Sequence, residues 1–202
     1  MTPRIWIGGS TCAGKSTFAQ TVALGTGWAP FNCDDAFSDQ ARTLPRSTLA
    51  RVDAMSPCER LAQDVATQAR DVWTIAEERW PLTLAALGAS LTPRAAEGES
   101  LLPHLLAAHG VTPDRALFLL ISPSLRRERY AQRAWARELV AGCAEPTAAF
   151  EAWMSRDDAT EERIATEAAR FGYRTFAADD PAELDAAMAF ARRAQLSQPP
   201  TP

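Results

Sequence analysis

The residues best equipped for chemistry lie near the amino terminus, where Gly9-Ser10-Thr11-Cys12-Ala13-Gly14-Lys15-Ser16 matches the pattern G-x-x-x-x-G-K-[ST] in full. Glycines in such a run let the backbone curl so that successive N–H groups point inward at a polyphosphate, and a helix starting there adds the positive end of its dipole. The lysine reaches the β- and γ-phosphates, and the serine hydroxyl is a ligand for Mg²⁺. Lys15 is the only lysine among 21 basic residues, so this position keeps an ammonium where the rest of the chain uses arginine. The nucleotide-binding set is therefore Gly9, Ser10, Thr11, Cys12, Ala13, Gly14, Lys15 and Ser16, continued by Thr17.

Four further sets of side chains carry chemistry or could carry it. Asp34 and Asp35 close a short apolar run; neighbours on an extended backbone point to opposite faces, so one faces the phosphates while the other packs, caps or binds substrate. Glu97 precedes Gly98. Arg126, Arg129, Arg133 and Arg137 recur at helical steps, which on one helix makes a cationic stripe opposite Leu125, Trp135 and Leu139. The plain alternative for that stripe is a solvated face with local pairs to Glu128 and Glu138. Trp73, Glu77 and Trp80 share a helical face that is either an aromatic wall for a flat or sugar-like ligand or core packing. His104 and His109 show no metal or triad pattern and are taken as structural.

These residues need a scaffold that alternates strands and helices. Apolar β-type runs fall at residues 4–8, 28–33, 115–122 and 173–177, and a weaker strand, poor in β-formers, at 93–98. Helical patterns fall between them. One starts at Ser56-Pro57 and is interrupted by Pro81, with a further short helix over 82–91; others cover 101–109, 124–140, 147–171 and the stretch after Asp180. The alternation implies an α/β fold with a parallel sheet and right-handed crossovers.

Composition bounds the rest. The 202 residues, 47% hydrophobic and 23% charged, suit one globular domain over residues 1–196 with a disordered tail at 197–202. A net charge of −4 argues against a general nucleic-acid binder, and no apolar run approaches the roughly 18 residues needed to span a membrane, so a soluble cytoplasmic protein is expected. Cys12, Cys33, Cys58 and Cys143 have neither zinc-site spacing nor disulfide-scaffold density, and reduced, mostly buried thiols are expected.

With its complete phosphate loop the chain resembles the P-loop kinase superfamily, and within it the small nucleotide and metabolite kinases: nucleoside monophosphate, shikimate and gluconate kinases, and chloramphenicol phosphotransferase. Asn32-Cys33-Asp34-Asp35, Glu97-Gly98 with Leu101-Leu102-Pro103, and Trp153-Met154-Ser155-Arg156-Asp157 also resemble a bacterial group of such ATP-binding proteins. The resemblance implies a three-layer P-loop fold with a five-stranded parallel sheet in the nucleoside monophosphate kinase order and a helical lid near residues 124–140. It implies ATP and Mg²⁺ as cofactors and a small-molecule hydroxyl as acceptor, an antibiotic, nucleoside or sugar-like metabolite. Asp35, or else Asp34, becomes the acceptor's base; Asp34 and Glu97 join Ser16 at the metal. Arg133 and Arg137 become lid arginines and Arg129 a nucleotide contact, while Asp34, Asp35, Arg42, Trp73 and Glu97 face the acceptor. A nucleoside monophosphate acceptor would use Arg42, Arg46 or Arg51. Such kinases are often monomers or homodimers. The competing class is a nucleotide-hydrolysing switch acting through a protein partner, against which the chain carries no Asn-Lys-x-Asp guanine-reading motif.

Overall fold

The computed structural model describes residues 3–34, 47–89 and 92–196. Period-two alternation builds the centre of the sheet. Strand β1 (Ile5–Gly9) sends Ile5 and Ile7 to one face and Trp6 to the other. On β4 (Ala116–Leu120), Leu117 and Leu119 oppose Ala116 and Phe118 in the same way. Trp6 has room because its register partners are Ala96 of β3 (Arg94–Glu97) and Ala116 of β4. The alanines that make β3 a weak strand by composition thus admit an indole beside them. With β2 (Ala29–Asn32) and β5 (Arg174–Ala177), the parallel sheet runs in the order β2-β3-β1-β4-β5, the order the resemblance implied.

Helices cover both faces. On one, Phe18 and Val22 of α1 (Lys15–Thr26) and Phe190 of the C-terminal helix, which spans Pro181–Leu196, pack on Ile5, Ile7 and Leu119. Between β2 and β3 lie α2 (Thr48–Asp53), α3 (Pro57–Leu61) and α4 (Val65–Gly88). Helix α5 (Pro103–Ala108) precedes β4; α6 (Pro123–Ala131), α7 (Ala134–Ala141) and α8 (Pro146–Arg170) follow it, so the C-terminal helix is α9. Trp73, Leu106 and Ile164 from α4, α5 and α8 cover the second sheet face over Trp6 and Phe118. A separate cluster of Leu61, Tyr130, Ala136, Val140, Trp153 and Met154 joins α3, α6, α7 and α8 beyond the sheet.

Four expectations need correction. Helix α4 runs unbroken through Pro81, which sits on its exposed side while Trp73, Ala76 and Leu87 keep one apolar stripe against the sheet. The helix expected from Ser56 instead ends after one short element: Ser56 and Glu59 form a capping box on α3, and Asp64 starts α4 afresh by accepting from the Thr67 N–H at 2.9 Å. The helix expected over 124–140 breaks at Arg133, whose backbone is extended. A continuous helix of about 3.6 residues per turn would point Tyr130 and Ala136 to different sides, and the break lets both enter one cluster.

The fourth correction concerns the thiols. Cys58 and Cys143 form a disulfide with Cα atoms 5.2 Å apart, tying α3 to the residue beyond Gly142 at the end of α7, while Cys12 and Cys33 are free. A separation of 85 residues carries no signal of that pairing. No helix among the described residues is long and apolar enough to cross a membrane. Residues 197–202, expected as a tail, lie outside the described residues.

Candidate active site

The loop between β1 and α1 needs unusual backbone at three positions. Gly9 has φ +123°, and a Cβ there would lie 2.0 Å from the Leu119 carbonyl oxygen, so β1 can pass this close to β4 only as glycine. Cys12 has φ 64°, and Gly14 enters α1 in the left-handed region at φ 81°. Lys15 is buried and its ammonium donates to the Ser10 carbonyl at 2.8 Å, folded along the loop it serves.

The carboxylate side is assembled by the sheet. Register pairs Ile7 and Asn32 with Glu97, bringing the ends of β1, β2 and β3 together. Glu97 is buried, and its Oε1 accepts from the Ser16 hydroxyl at 3.1 Å. Asp34 does something else, accepting through its carboxylate from the backbone N–H groups of Glu99 at 2.7 Å and Ser100 at 3.0 Å. It thereby staples the end of β2 to the loop after β3. Gly98 lets the two approach, since a Cβ there would meet Asp34 Oδ1 at 3.0 Å.

Helix α8 supports the loop from the other flank. The Ser10 hydroxyl donates to Glu161, whose Oε2 also accepts from the Ile121 N–H at 3.0 Å and from Arg126 Nη2 at 2.5 Å. Arg126 is fully buried and pairs with Asp158 as well. Arg129 Nη1 donates to the Cys12 carbonyl at 2.6 Å, setting a guanidinium against the loop.

No family model matches the chain, and no curated protein matches it. Solved structures do match. Shikimate kinase from Bacteroides thetaiotaomicron is similar at TM-score 0.51 and 14% identity, over 96% of this chain and 97% of that one. Shikimate kinase from Acinetobacter baumannii, in complex with shikimate, is similar at TM-score 0.51 and 14% identity, over 98% and 96%. The fold is the one these two shikimate kinases have.

In this kinase fold a cavity beside the phosphate loop is lined by Gly14 and Thr17, by Arg129, and by Ala178, Leu184 and Met188 after β5. Glu99, which the sequence reading did not single out, lies within electrostatic reach of Lys15 and of Arg156 and Asp157, the last two from the Trp153-Met154-Ser155-Arg156-Asp157 segment. Asp157 is buried, accepting from Arg156 Nε at 2.8 Å through Oδ1 and from the Tyr130 hydroxyl at 3.1 Å through Oδ2. Burial holds the Glu99 carboxyl above its ordinary value of 4.5, opposed by the Lys15 ammonium. Burial likewise raises the Cys12 thiol, opposed by Arg133, so it is a packed thiol and not an activated one. The available signal was Asp157 on the buried stripe of α8 with Trp153, Thr160 and Ile164.

Other expected residues fall differently. Trp73 is 2% exposed, stacked on His104 at 5.7 Å with the Arg163 guanidinium 3.7 Å from its ring, so it is core and not a substrate wall. Trp80 packs on Trp6, and Glu77 bonds His104. The arginine stripe is divided: Arg126 is buried, Arg129 meets the loop, and Arg133 at the helix break and Arg137 within α7 are exposed. Trp135, expected on the side opposite the arginines, is 49% exposed. Arg51 pairs with Asp71 at 2.5 Å. Asp35, Arg42 and Arg46 lie outside the described residues.

The residues present fit Mg²⁺. Ser16 Oγ and Glu97 Oε1 are two hard oxygen donors at the mouth of the phosphate loop. Mg²⁺ is usually held by one or two protein oxygens together with phosphates and water; among the described residues no group of three His, Cys, Asp or Glu is placed to cage a metal.

Proposed function

We propose that this chain is an ATP- and Mg²⁺-dependent phosphotransferase that moves a γ-phosphoryl group to a hydroxyl of a small molecule. The observation that carries the reading is the pairing of Ser16 with Glu97 at 3.1 Å beside a buried Lys15 at the head of α1. Bound Mg²⁺ supplies charge neutralisation across the phosphates. Lys15 exchanges the Ser10 carbonyl for phosphate oxygens, and the loop amides hold the remainder. The cavity between Thr17, Arg129 and Ala178 receives the nucleotide base.

Asp35 takes the acceptor's proton, a role supported by the commitment of both Asp34 oxygens to backbone amides. Asp34 is then a positioning residue and Glu97 the metal-side carboxylate. Arg129 and Arg133 close over the transferred group from α6 and the break after it, excluding water that would otherwise be phosphorylated. ATP and Mg²⁺ are abundant in the cytoplasm, so we place the activity there.

The test is Mg²⁺-dependent ATP consumption across hydroxylated metabolites, nucleosides and antibiotics, with Lys15→Ala alongside. Acceptor-dependent turnover lost in the variant supports the reading. ATP hydrolysis raised only by protein partners would replace it with a nucleotide switch.

A further inference from the structure

The Cys58–Cys143 disulfide sits where α7 meets α3. Cys58 lies about one helical turn before Leu61 and Cys143 follows closely on Val140, and those two side chains belong with Tyr130 and Trp153 to the cluster beyond the sheet. Helix α7 is a rod of eight residues. At its amino end the extended backbone of Arg133 makes a joint with α6, and past its carboxyl end Gly142 leads directly to the bonded cysteine. The bond therefore fixes one end of a segment whose other end carries Arg133.

That segment reaches the phosphate loop. Arg129 of α6 donates to the Cys12 carbonyl at 2.6 Å. The Arg133 guanidinium, 5.6 Å from the centre of the Tyr130 ring and 5.8 Å from that of Trp135, lies within electrostatic reach of the Cys12 side chain. Cys12 itself packs against the cluster that α3 and α7 share. With the bond made, the two arginines assigned to closing over the transferred group already stand at the loop. Both bonded cysteines are partly exposed, and Cys143 lies between exposed Gly142 and Ala144, so a reductant has access. In a compartment that keeps thiols reduced, a disulfide is ordinarily a transient, sensing bond and not a permanent staple.

We propose that Cys58–Cys143 is a redox latch on this segment: oxidised, it holds α7 against α3 with Arg129 and Arg133 at the phosphate loop, tightening nucleotide binding and slowing the opening that releases product; reduced, it lets α7 swing about Arg133. This rests on the phosphotransferase reading above. The reductant is a dithiol. One of its thiolates attacks a sulfur of the bond, the S–S bond breaks, and the cysteine set free takes a proton. The second thiolate then resolves the mixed disulfide, so the two cysteines gain two electrons and two protons while the dithiol becomes a disulfide. Opening and product release set kcat in many enzymes that close over their substrates, so the oxidised form is the slower one. Linkage makes the effect reciprocal: whatever factor oxidation adds to nucleotide affinity, bound nucleotide adds to the resistance of the bond to reduction.

Calorimetric titration of the full wild-type chain with the ATP analogue AMP-PNP and Mg²⁺, once oxidised and once reduced by dithiothreitol, tests this apart from turnover. The oxidised form is expected to bind at least about fivefold more tightly. In mixtures of reduced and oxidised dithiothreitol, thiol alkylation read by mass spectrometry gives the ratio of the two reagents at half-reduction. Saturating AMP-PNP should move that ratio toward the reduced reagent by the same factor as the affinities differ. With an acceptor found in the panel above, kcat should rise at least about threefold on reduction, and Cys58→Ser/Cys143→Ser should match the reduced wild type whether or not dithiothreitol is present. Equal affinities, or a half-reduction ratio that nucleotide does not move, overturn the latch from the wild-type protein alone, so a double variant that fails to fold does not rescue it. A double variant that still responds to dithiothreitol overturns the assignment to Cys58 and Cys143. A kcat unchanged or lowered on reduction overturns the control of turnover. Linked affinity and half-reduction without acceptor-dependent ATP consumption overturn the phosphotransferase reading instead, leaving a latch on nucleotide binding.

Discussion

The Ser10 hydroxyl donates to the Glu161 carboxylate across 151 residues of chain, so a helix near the carboxyl end holds the first turn of the phosphate loop. The same carboxylate faces Arg126, which is fully buried and has Asp158 as its other partner. Glu161→Gln keeps the shape and removes one of the two charges opposite that guanidinium. A loss of about 1–3 kcal/mol is expected in urea unfolding, together with weaker ATP binding. Unchanged stability would mean that Asp158 alone satisfies Arg126.

Lys15→Ala should leave stability nearly intact, because the ammonium donates to the Ser10 carbonyl, and an ordinary hydrogen bond contributes about 1 kcal/mol. Its effect belongs to the transition state, where losing one charge-stabilising donor lowers kcat about 10²–10³-fold. Glu97→Gln should instead raise the Mg²⁺ concentration needed for half-maximal rate. Steady-state kinetics over a Mg²⁺ series separates the two, and retained turnover in Lys15→Ala would remove the assignment.

Reduction of Cys58–Cys143 releases a closed loop of 85 residues. Loss of a native disulfide costs about 2–5 kcal/mol. Thermal unfolding with and without dithiothreitol should show a lower Tm on reduction in the wild type and no response in the Cys58→Ser/Cys143→Ser double variant. Identical melting of reduced and oxidised wild type would show that the third cluster holds α3 and α7 together unaided.

Glu99 makes stability depend on pH in a stated direction. Burial raises its carboxyl above 4.5 in the folded chain. A carboxyl raised on folding stabilises fully below its unfolded value, and that contribution is lost as pH rises through the folded one. Glu99→Gln stays neutral at every pH, so it should gain on the wild type between acidic and neutral pH. Urea midpoints at pH 4 and pH 8 check the sign: a constant difference between the two proteins would mean that Glu99 ionises freely.

Local pattern alone determined the phosphate loop and the alternation of strands and helices, because glycines, a lone lysine and hydrophobic periodicity act over a few residues. The helices at α5, α8 and α9 were legible for the same reason, and the strand order followed from the family the loop resembles. What tertiary structure decided are the matters that depend on what lies opposite. Pro81 continues a helix because its ring faces solvent, the 124–140 segment breaks so that Tyr130 and Ala136 meet one cluster, and Trp73 is consumed by His104 and Arg163. Asp34 turns out to staple two strands, and Glu161, Asp157 and Glu99 reach the loop from distant segments. Each is a polar or aromatic group whose role is set by a partner tens of residues away, and hydrogen bonds, ion pairs and disulfides across such distances leave no period in the chain.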